Sequence, residues 1–282
     1  MSDALQTPAQ PYRVVCFDLD GTLLPMDLDE FMNSYFGLLG AYVGEYGVSW
    51  DDFVLGMKAG IKAMATHADE RTNAEVFWEQ YFAFVDPTAC DWEQVLGEFY
   101  EHEFGKLGES VTPNPAAAAA VATLADKGYP LVLTTMPMFP RRAVEWRLQW
   151  AGIDPEQFLF LTTFDNSTSA KPHTSYYQHV LDMLDLVSGE EVLMVGNNTV
   201  EDLAFCKLGA DAFLVTDNLI DPIELDLDTV RHGSMEDFAR WVETLPACEN
   251  PAQLRAAAAV VVEGAPVTAP TTDVASATAK GE

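Results

Sequence analysis

The amino-acid sequence predicts an α/β protein: a parallel sheet with helices on both faces, interrupted by one all-helical insertion. Three observations carry this. From residue 113 onward, short apolar runs alternate with helical patterns, the order that a parallel sheet with crossover helices requires. A similar apolar run, Tyr12 to Phe17, stands far upstream and stops abruptly at Asp18-Leu19-Asp20-Gly21-Thr22. Between the two, residues 28 to 110 carry apolar and aromatic side chains at helical spacing and no strand pattern.

In chain order, residues 1–11 are a polar, Pro-containing lead-in. Tyr12 to Phe17 is apolar and rich in β-branched residues, so it reads as a buried strand ending at a turn. The insertion repeats its apolar positions at Phe31, Tyr35, Leu38 and Leu39, at Phe53, Met57 and Ile61, at Phe77, Tyr81 and Phe82, and at Val95, Phe99 and Phe104. Breaks near Gly47-Val48-Ser49, Glu70-Arg71-Thr72 and Asp86-Pro87 divide it into four helices, with Ser49 and Thr72 as N-caps. The alternating part has helices at Pro115–Lys127, Arg141–Ala151, Ser175–Leu186, from Glu201 to Lys207, and a closing one at Met235–Leu245. Its strands are Leu131–Thr134, Phe158–Thr162, Val192–Val195 and a last one at Ala212–Val215. Residues 248–282 hold few large side chains, so they are expected to be disordered together with 1–11. The expected division is therefore an α/β core over 12–26 and 111–247 and a helical unit over 27–110.

Composition narrows the partners. Of 282 residues, 44 are acidic and 15 basic, a net charge of -29. Such a surface repels nucleic-acid phosphates and anionic lipid heads, so neither is expected as a partner. Any phosphate site must then supply its own positive charge. Cys16, Cys90, Cys206 and Cys248 lie far apart with no CxxC pair, so no disulfide framework or zinc site is implied. The start has no basic and apolar segments of a secretory signal, and the Ala/Val run 256–262 is too short to span a bilayer, so the expected location is cytoplasmic. There is no GxxxxGK loop, no GxGxxG and no HxxxH spacing.

Asp18 and Asp20 lie two residues apart where a buried strand ends, and strand ends of open parallel sheets are where ligands bind. Neighbouring carboxylates repel unless they share a cation or a proton. The pair suits one nucleophile and one acid/base with a hard cation beside them. A bare DxDG is more often a polar turn. Here its context decides.

The run Val14-Val15-Cys16-Phe17-Asp18-Leu19-Asp20-Gly21-Thr22 resembles the first signature of the haloacid dehalogenase superfamily. The other three signatures follow in order. Leu131-Val132-Leu133-Thr134-Thr135 resembles the second, an apolar strand ending in a hydroxyl, with Thr135 favoured over Thr134. Lys171-Pro172 resembles the third, and Val195-Gly196-Asn197-Asn198-Thr199-Val200-Glu201-Asp202 the fourth.

The resemblance implies a Rossmann-like core with a helical C1 cap inserted at 27–110. It also implies phosphohydrolase chemistry with Mg²⁺ as cofactor and a phosphorylated small molecule as substrate. In that scheme Asp18 is the nucleophile that forms an aspartyl-phosphate, and Asp20 is the acid/base. Thr135 and Lys171 bind the phosphoryl oxygens, and Asp18, Asp20 (through its carbonyl), Asn198 and Asp202 surround the metal. The superfamily's dehalogenases lack the second Asp, so Asp20 favours phosphoryl chemistry.

Asn198 departs from the pattern, because the family usually has Asp there; an amide oxygen brings no charge to a hard-cation site. Asp202, one helical turn on, is the expected substitute ligand, with Glu201 less well aligned. The alternative reading is a catalytically weakened relative that binds a phosphorylated ligand or partner. A mutase would differ only in where the phosphoryl group is discharged. Arg141, Arg142 and Arg147 form a basic helix that reads as a solvated face, with Arg141 or Arg142 as candidates to meet a substrate anion.

Overall fold

The computed structural model describes residues 12–255. Among these, six parallel strands form one sheet: β1 (Val14–Phe17), β2 (Leu131–Leu133), β3 (Phe160–Leu161), β4 (Val192–Gly196), β5 (Asp211–Val215) and β6 (Arg231–Gly233). Their spatial order is β3-β2-β1-β4-β5-β6. The chain builds outward from β1 on one side and then, from β4, outward on the other. The order reverses between β1 and β4, and such a switch point opens a crevice beyond the strands' carboxyl ends.

Strand β1 sits at the centre. Phe17 lies opposite Leu133 of β2 and Val195 of β4. Its four residues are fully buried, because both faces of the sheet are covered. Side chains alternate between faces along a strand, so Val15 and Phe17 join one apolar cluster with Leu131, Leu133, Val195 and Phe238. Val14 and Cys16 join another, with Val132, Met194, Tyr176 and Tyr177.

The covering helices are α5 (Pro115–Asp126), α6 (Arg141–Trp150), α7 (Thr174–Met183) and α8 (Met235–Glu243), numbered after the four inserted ones. The inserted helices are α1 (Leu28–Gly44), α2 (Trp50–Thr66), α3 (Asn73–Tyr81) and α4 (Trp92–Glu98); α4 runs on into a π turn and a 3-10 helix ending at Ser110. Ser49 caps α2 by accepting the Asp52 N–H at 3.1 Å. Thr72 caps α3 in a reciprocal box with Glu75.

The insertion packs on the core through a continuous aromatic seam, in which Phe31 of α1 meets Phe104, Phe139 and Trp150. Asn73, fully buried, donates from Nδ2 to the carbonyls of Pro137 and Ser169 at 2.9 and 3.2 Å. The Tyr100 carbonyl accepts Trp146 Nε1 at 2.8 Å.

Three expectations are corrected. The last strand is β6, not β5: Arg231-His232-Gly233 pairs with Phe213-Leu214-Val215. It is a short, half-buried edge, so it carries no apolar signature. The segment after Glu201 is a 3-10 helix, Asp202–Leu208, closed by Gly209 at φ 99°. Residues 248–255 are not disordered. The Cys248 N–H donates to Lys127, Ala252 to Arg13 and Arg255 to Met183, and Ala252 is buried against the second cluster. Backbone pairing and the packing of Cys248, Ala252 and Leu254 on the two clusters hold a segment whose composition offers little bulk. The expected disorder of 1–11 and 256–282 concerns residues outside those described.

Candidate active site

Asp18 follows the last residue of β1 and is held there by its own N–H, which donates to Val195 O at 2.8 Å. The chain then turns through Gly21 at φ 83°. A Cβ on Gly21 would lie 2.3 Å from Asn197 Nδ2, so both the backbone angle and the neighbour demand glycine here. Thr22 fastens the turn to two signatures at once, donating weakly to Asp18 Oδ2 at 3.2 Å or to Asn197 Oδ1 at 3.1 Å.

Lys171 reaches the same point from the loop before α7. Its Nζ donates to Asp18 Oδ1 at 2.8 Å and to Asp202 Oδ1 at 2.6 Å. Burial alone would lower its pKa, but the carboxylates of Asp18 and Asp202 beside it hold it well above the ordinary value. Asp202 is fully engaged: Oδ2 accepts the N–H groups of Asn197 and Asn198, both at 2.9 Å. Gly196 makes this possible, since a Cβ there would stand 2.2 Å from the Asp202 carboxyl. Asp202 therefore braces Lys171 and the backbone after β4.

Thr134 and Thr135 divide as their positions on β2's end dictate. Thr134 Oγ1 turns inward to the Phe17 carbonyl at 3.2 Å. Thr135 Oγ1 is buried with no partner, while the Thr135 carbonyl accepts the Tyr176 and Thr162 hydroxyls at 2.8 and 3.0 Å.

Asp20 is tied to Arg147, whose Nη1 donates to Asp20 Oδ2 at 2.5 Å. Arg147 is not part of a solvated face: its side chain is 1% exposed, and its guanidinium lies 4.5 Å from the Phe139 ring centre. Its position was readable, because residue 147 lies on the stripe of Ala143, Val144 and Leu148 that α6 buries. Arg141 pairs with Glu145 at 2.7 Å and Arg142 with Glu101 at 2.8 Å; neither lines the cavity described next. Burial raises the Asp20 pKa, and the Arg147 charge offsets part of that rise. Asp20 Oδ1 and Arg147 Nη2 are buried and unpartnered, like Thr135 Oγ1.

These groups meet at one end of a cavity of about 350 Å³ between the sheet's carboxyl edge and the inserted helices. Asp18, Asp20, Thr135, Arg147, Asn197, Asn198 and Glu201 line that end. Lys171 and Asp202 stand behind it. Asn218, which nothing in the sequence singles out, ties two of the loops together: its carbonyl accepts Asn197 Nδ2 at 2.6 Å and its Nδ2 donates to Gly21 O at 3.3 Å.

The oxygens facing the cavity fit a hard cation better than a soft one. Among the described residues, however, no group of three or more His, Cys, Asp or Glu is arranged as a ready metal cluster. Asn198 Oδ1 accepts the N–H groups of Val200 and Glu201 at 3.0 and 3.1 Å. Glu201, not Asp202, is among the residues that line the cavity. Its pKa is raised by burial and then by the Asp18 charge, with Lys171 opposing. A cation between Asp18 and Glu201 would relieve that repulsion, so the donor set fits Mg²⁺ with few charged ligands.

A model of haloacid dehalogenase-like hydrolases matches residues 12–209, and the chain belongs to that family of hydrolases. Two solved structures agree on the fold. A HAD phosphatase from Thermococcus onnurineus superposes with a TM-score of 0.52 at 17% identity, covering 83% of this chain and 99% of that one. A protein described as a predicted phosphoglycolate phosphatase from Haemophilus somnus gives 0.50 at 16%, with 83% and 99% covered. An L-2-haloacid dehalogenase from Xanthobacter autotrophicus gives 0.47 at 16%, again over 83% and 99%. No curated protein matches the chain in sequence. No helix among the described residues is long and apolar enough to cross a membrane.

Proposed function

We propose that the chain hydrolyses a phosphate monoester of a small molecule through an aspartyl-phosphate on Asp18. The observation that carries this reading is the convergence on one cavity end of two carboxylates and an unpartnered threonine hydroxyl, with a lysine ammonium behind them bonded to the first carboxylate.

Asp18 is held by Lys171 and Thr22 with its carboxylate toward the cavity. It attacks phosphorus as the P–O bond to the alcohol breaks. Asp20, whose pKa burial raises against the pull of Arg147, gives the leaving oxygen its proton. It then takes a proton from the water that attacks the aspartyl-phosphate, releasing phosphate and restoring both carboxyl groups. Thr135 Oγ1 donates to a phosphoryl oxygen, a partner it lacks within the protein. Lys171 offsets the charge gathered at Asp18, and Arg147 keeps Asp20 in place. Asp18, the Asp20 carbonyl, Asn198 and Glu201 would hold Mg²⁺, with Asp202 positioning Lys171. When bound, the ion neutralises repulsion between the nucleophile and the phosphate.

The test is phosphate release from a broad panel of phosphorylated metabolites, with and without millimolar Mg²⁺, with Asp18→Asn as control. Turnover that requires both Mg²⁺ and Asp18 supports the reading. Release no greater than the Asp18→Asn control on every member, also with Mn²⁺, contradicts it and favours a ligand-binding relative.

A further inference from the structure

Away from the carboxylates the cavity changes character. The charged residues of its lining are Asp18, Asp20, Arg147 and Glu201, all of them at the end already described. The remaining wall comes mainly from the inserted helices, with Met32, Met57, Ile61, Met64, Trp78 and Tyr81 among its residues. The Tyr35 and Tyr100 hydroxyls in this wall lie 2.8 Å apart and satisfy each other. A ligand body lying here meets side chains that exclude water and offer few free hydrogen-bonding groups.

That excludes polyols as good occupants. Each sugar hydroxyl brought from water into such a wall without a partner loses its hydrogen bonds to water and is disfavoured. Apolar carbon has the opposite balance, since every methylene buried is favourable. Methionine side chains adapt to ligands of differing shape, and Met32, Met57, Met64, Met136 and Met138 all line the cavity. The polar end fits an anionic head: Thr135 Oγ1 and Arg147 Nη2 are buried, unpartnered donors.

We infer that the substrate is a phosphate monoester of an apolar alcohol, an aryl or medium-length alkyl phosphate, and not a sugar or polyol phosphate. The phosphate end of this assignment rests on the hydrolase reading above. The apolar end rests on the cavity wall alone.

Two series separate these. The first measures kcat/KM for methyl, butyl, hexyl, octyl and phenyl phosphate against glycerol phosphate. The second measures binding of the matching alkylphosphonates, whose C–P bond this chemistry does not cleave, by calorimetry on the full chain with Mg²⁺. Both slopes are expected to rise roughly threefold to fourfold per added methylene until the cavity is full, with glycerol phosphate at the bottom. Ile61→Trp, at a half-buried position on α2 that narrows the cavity, is expected to move the best chain length to a shorter member.

Turnover that is flat along the series, or best with glycerol phosphate, overturns the apolar assignment and leaves the hydrolase intact. Phosphonate binding that steepens with chain length, without hydrolysis of any phosphate, overturns the hydrolase reading and supports the apolar cavity. Phosphonates that bind with no chain-length dependence, or do not bind, overturn the inference directly.

Discussion

Arg147 Nη1 and Asp20 Oδ2 stand 2.5 Å apart, the arginine side chain 1% exposed and the aspartate 16%. An arginine reaching from α6 to the second carboxylate of the first signature makes a largely buried ion pair. Removing one partner of such a pair leaves the other charge buried and alone. Arg147→Met is therefore expected to destabilise the fold by about 3–5 kcal/mol in urea unfolding. Adding Asp20→Asn to that variant should recover part of the loss, because the stranded charge is gone. Additive losses in the double variant would mean that the pair is not coupled.

Asp20 itself has a simpler expectation. Asp20→Asn keeps the shape but cannot exchange a proton, so turnover should fall by roughly 10²- to 10⁴-fold. The drop should be smaller for substrates whose leaving group is a good one, such as an acyl phosphate. Comparing kcat for an alkyl and an acyl phosphate in wild type and variant checks this.

Asn198→Asp adds a carboxylate to the cavity end and keeps an acceptor for the Val200 and Glu201 N–H groups that Asn198 now caps. Mg²⁺ affinity, read by calorimetry without substrate, should tighten on the order of tenfold, since charge count sets the strength of hard-cation sites. Glu201→Gln should weaken it. If neither change alters Mg²⁺ affinity, the cation does not lie at this end of the cavity.

Asp165 gives a pH expectation away from the site. Burial raises its pKa to about 7, with the Arg141 N–H and its own N–H opposing. A carboxyl whose folded pKa is raised contributes stability below its unfolded pKa and loses it as pH rises through the folded one. The chain should lose on the order of 2 kcal/mol between pH 5 and 8 from this group. Asp165→Asn should flatten that part of the stability profile, as measured by urea unfolding at the two pH values.

Gly196→Ala tests the architecture behind the site. Its Cβ would overlap the Asp202 carboxyl, which holds Lys171 and two backbone N–H groups. A loss of about 1–3 kcal/mol is expected from disrupting buried hydrogen bonds to a charged group, with turnover falling alongside. Unchanged stability would show that the loop accommodates the methyl.

Much of this was legible in the chain because period and position carried it. Val14 to Phe17 is an uninterrupted apolar run, as a strand buried on both faces must be, and its end places Asp18 and Asp20. The insertion announced itself through apolar spacing and through the caps at Ser49 and Thr72. Other features left weaker traces. β6 is an edge of Arg, His and Gly, which pairs through its backbone and buries little. Arg147 looked like one of three surface arginines, although its spacing from Ala143 and Val144 placed it on the inward stripe of α6. The relative roles of Glu201 and Asp202 depended on how the backbone turns after Gly196, which one-turn spacing alone did not determine. Asn73 and Asn218 act through backbone carbonyls distant in sequence, and no local pattern marks such contacts.

The most direct test of the central claim is to trap the covalent intermediate. The full chain would be mixed with Mg²⁺ and an alkyl phosphate, quenched in acid within the first turnover, and digested for mass spectrometry. One added phosphoryl group is expected on the peptide that carries Asp18, labile to hydroxylamine and missing in Asp18→Asn. Phosphate release at the same rate with no modified Asp18 peptide at any quench time would contradict it, and would mean that water attacks the substrate directly.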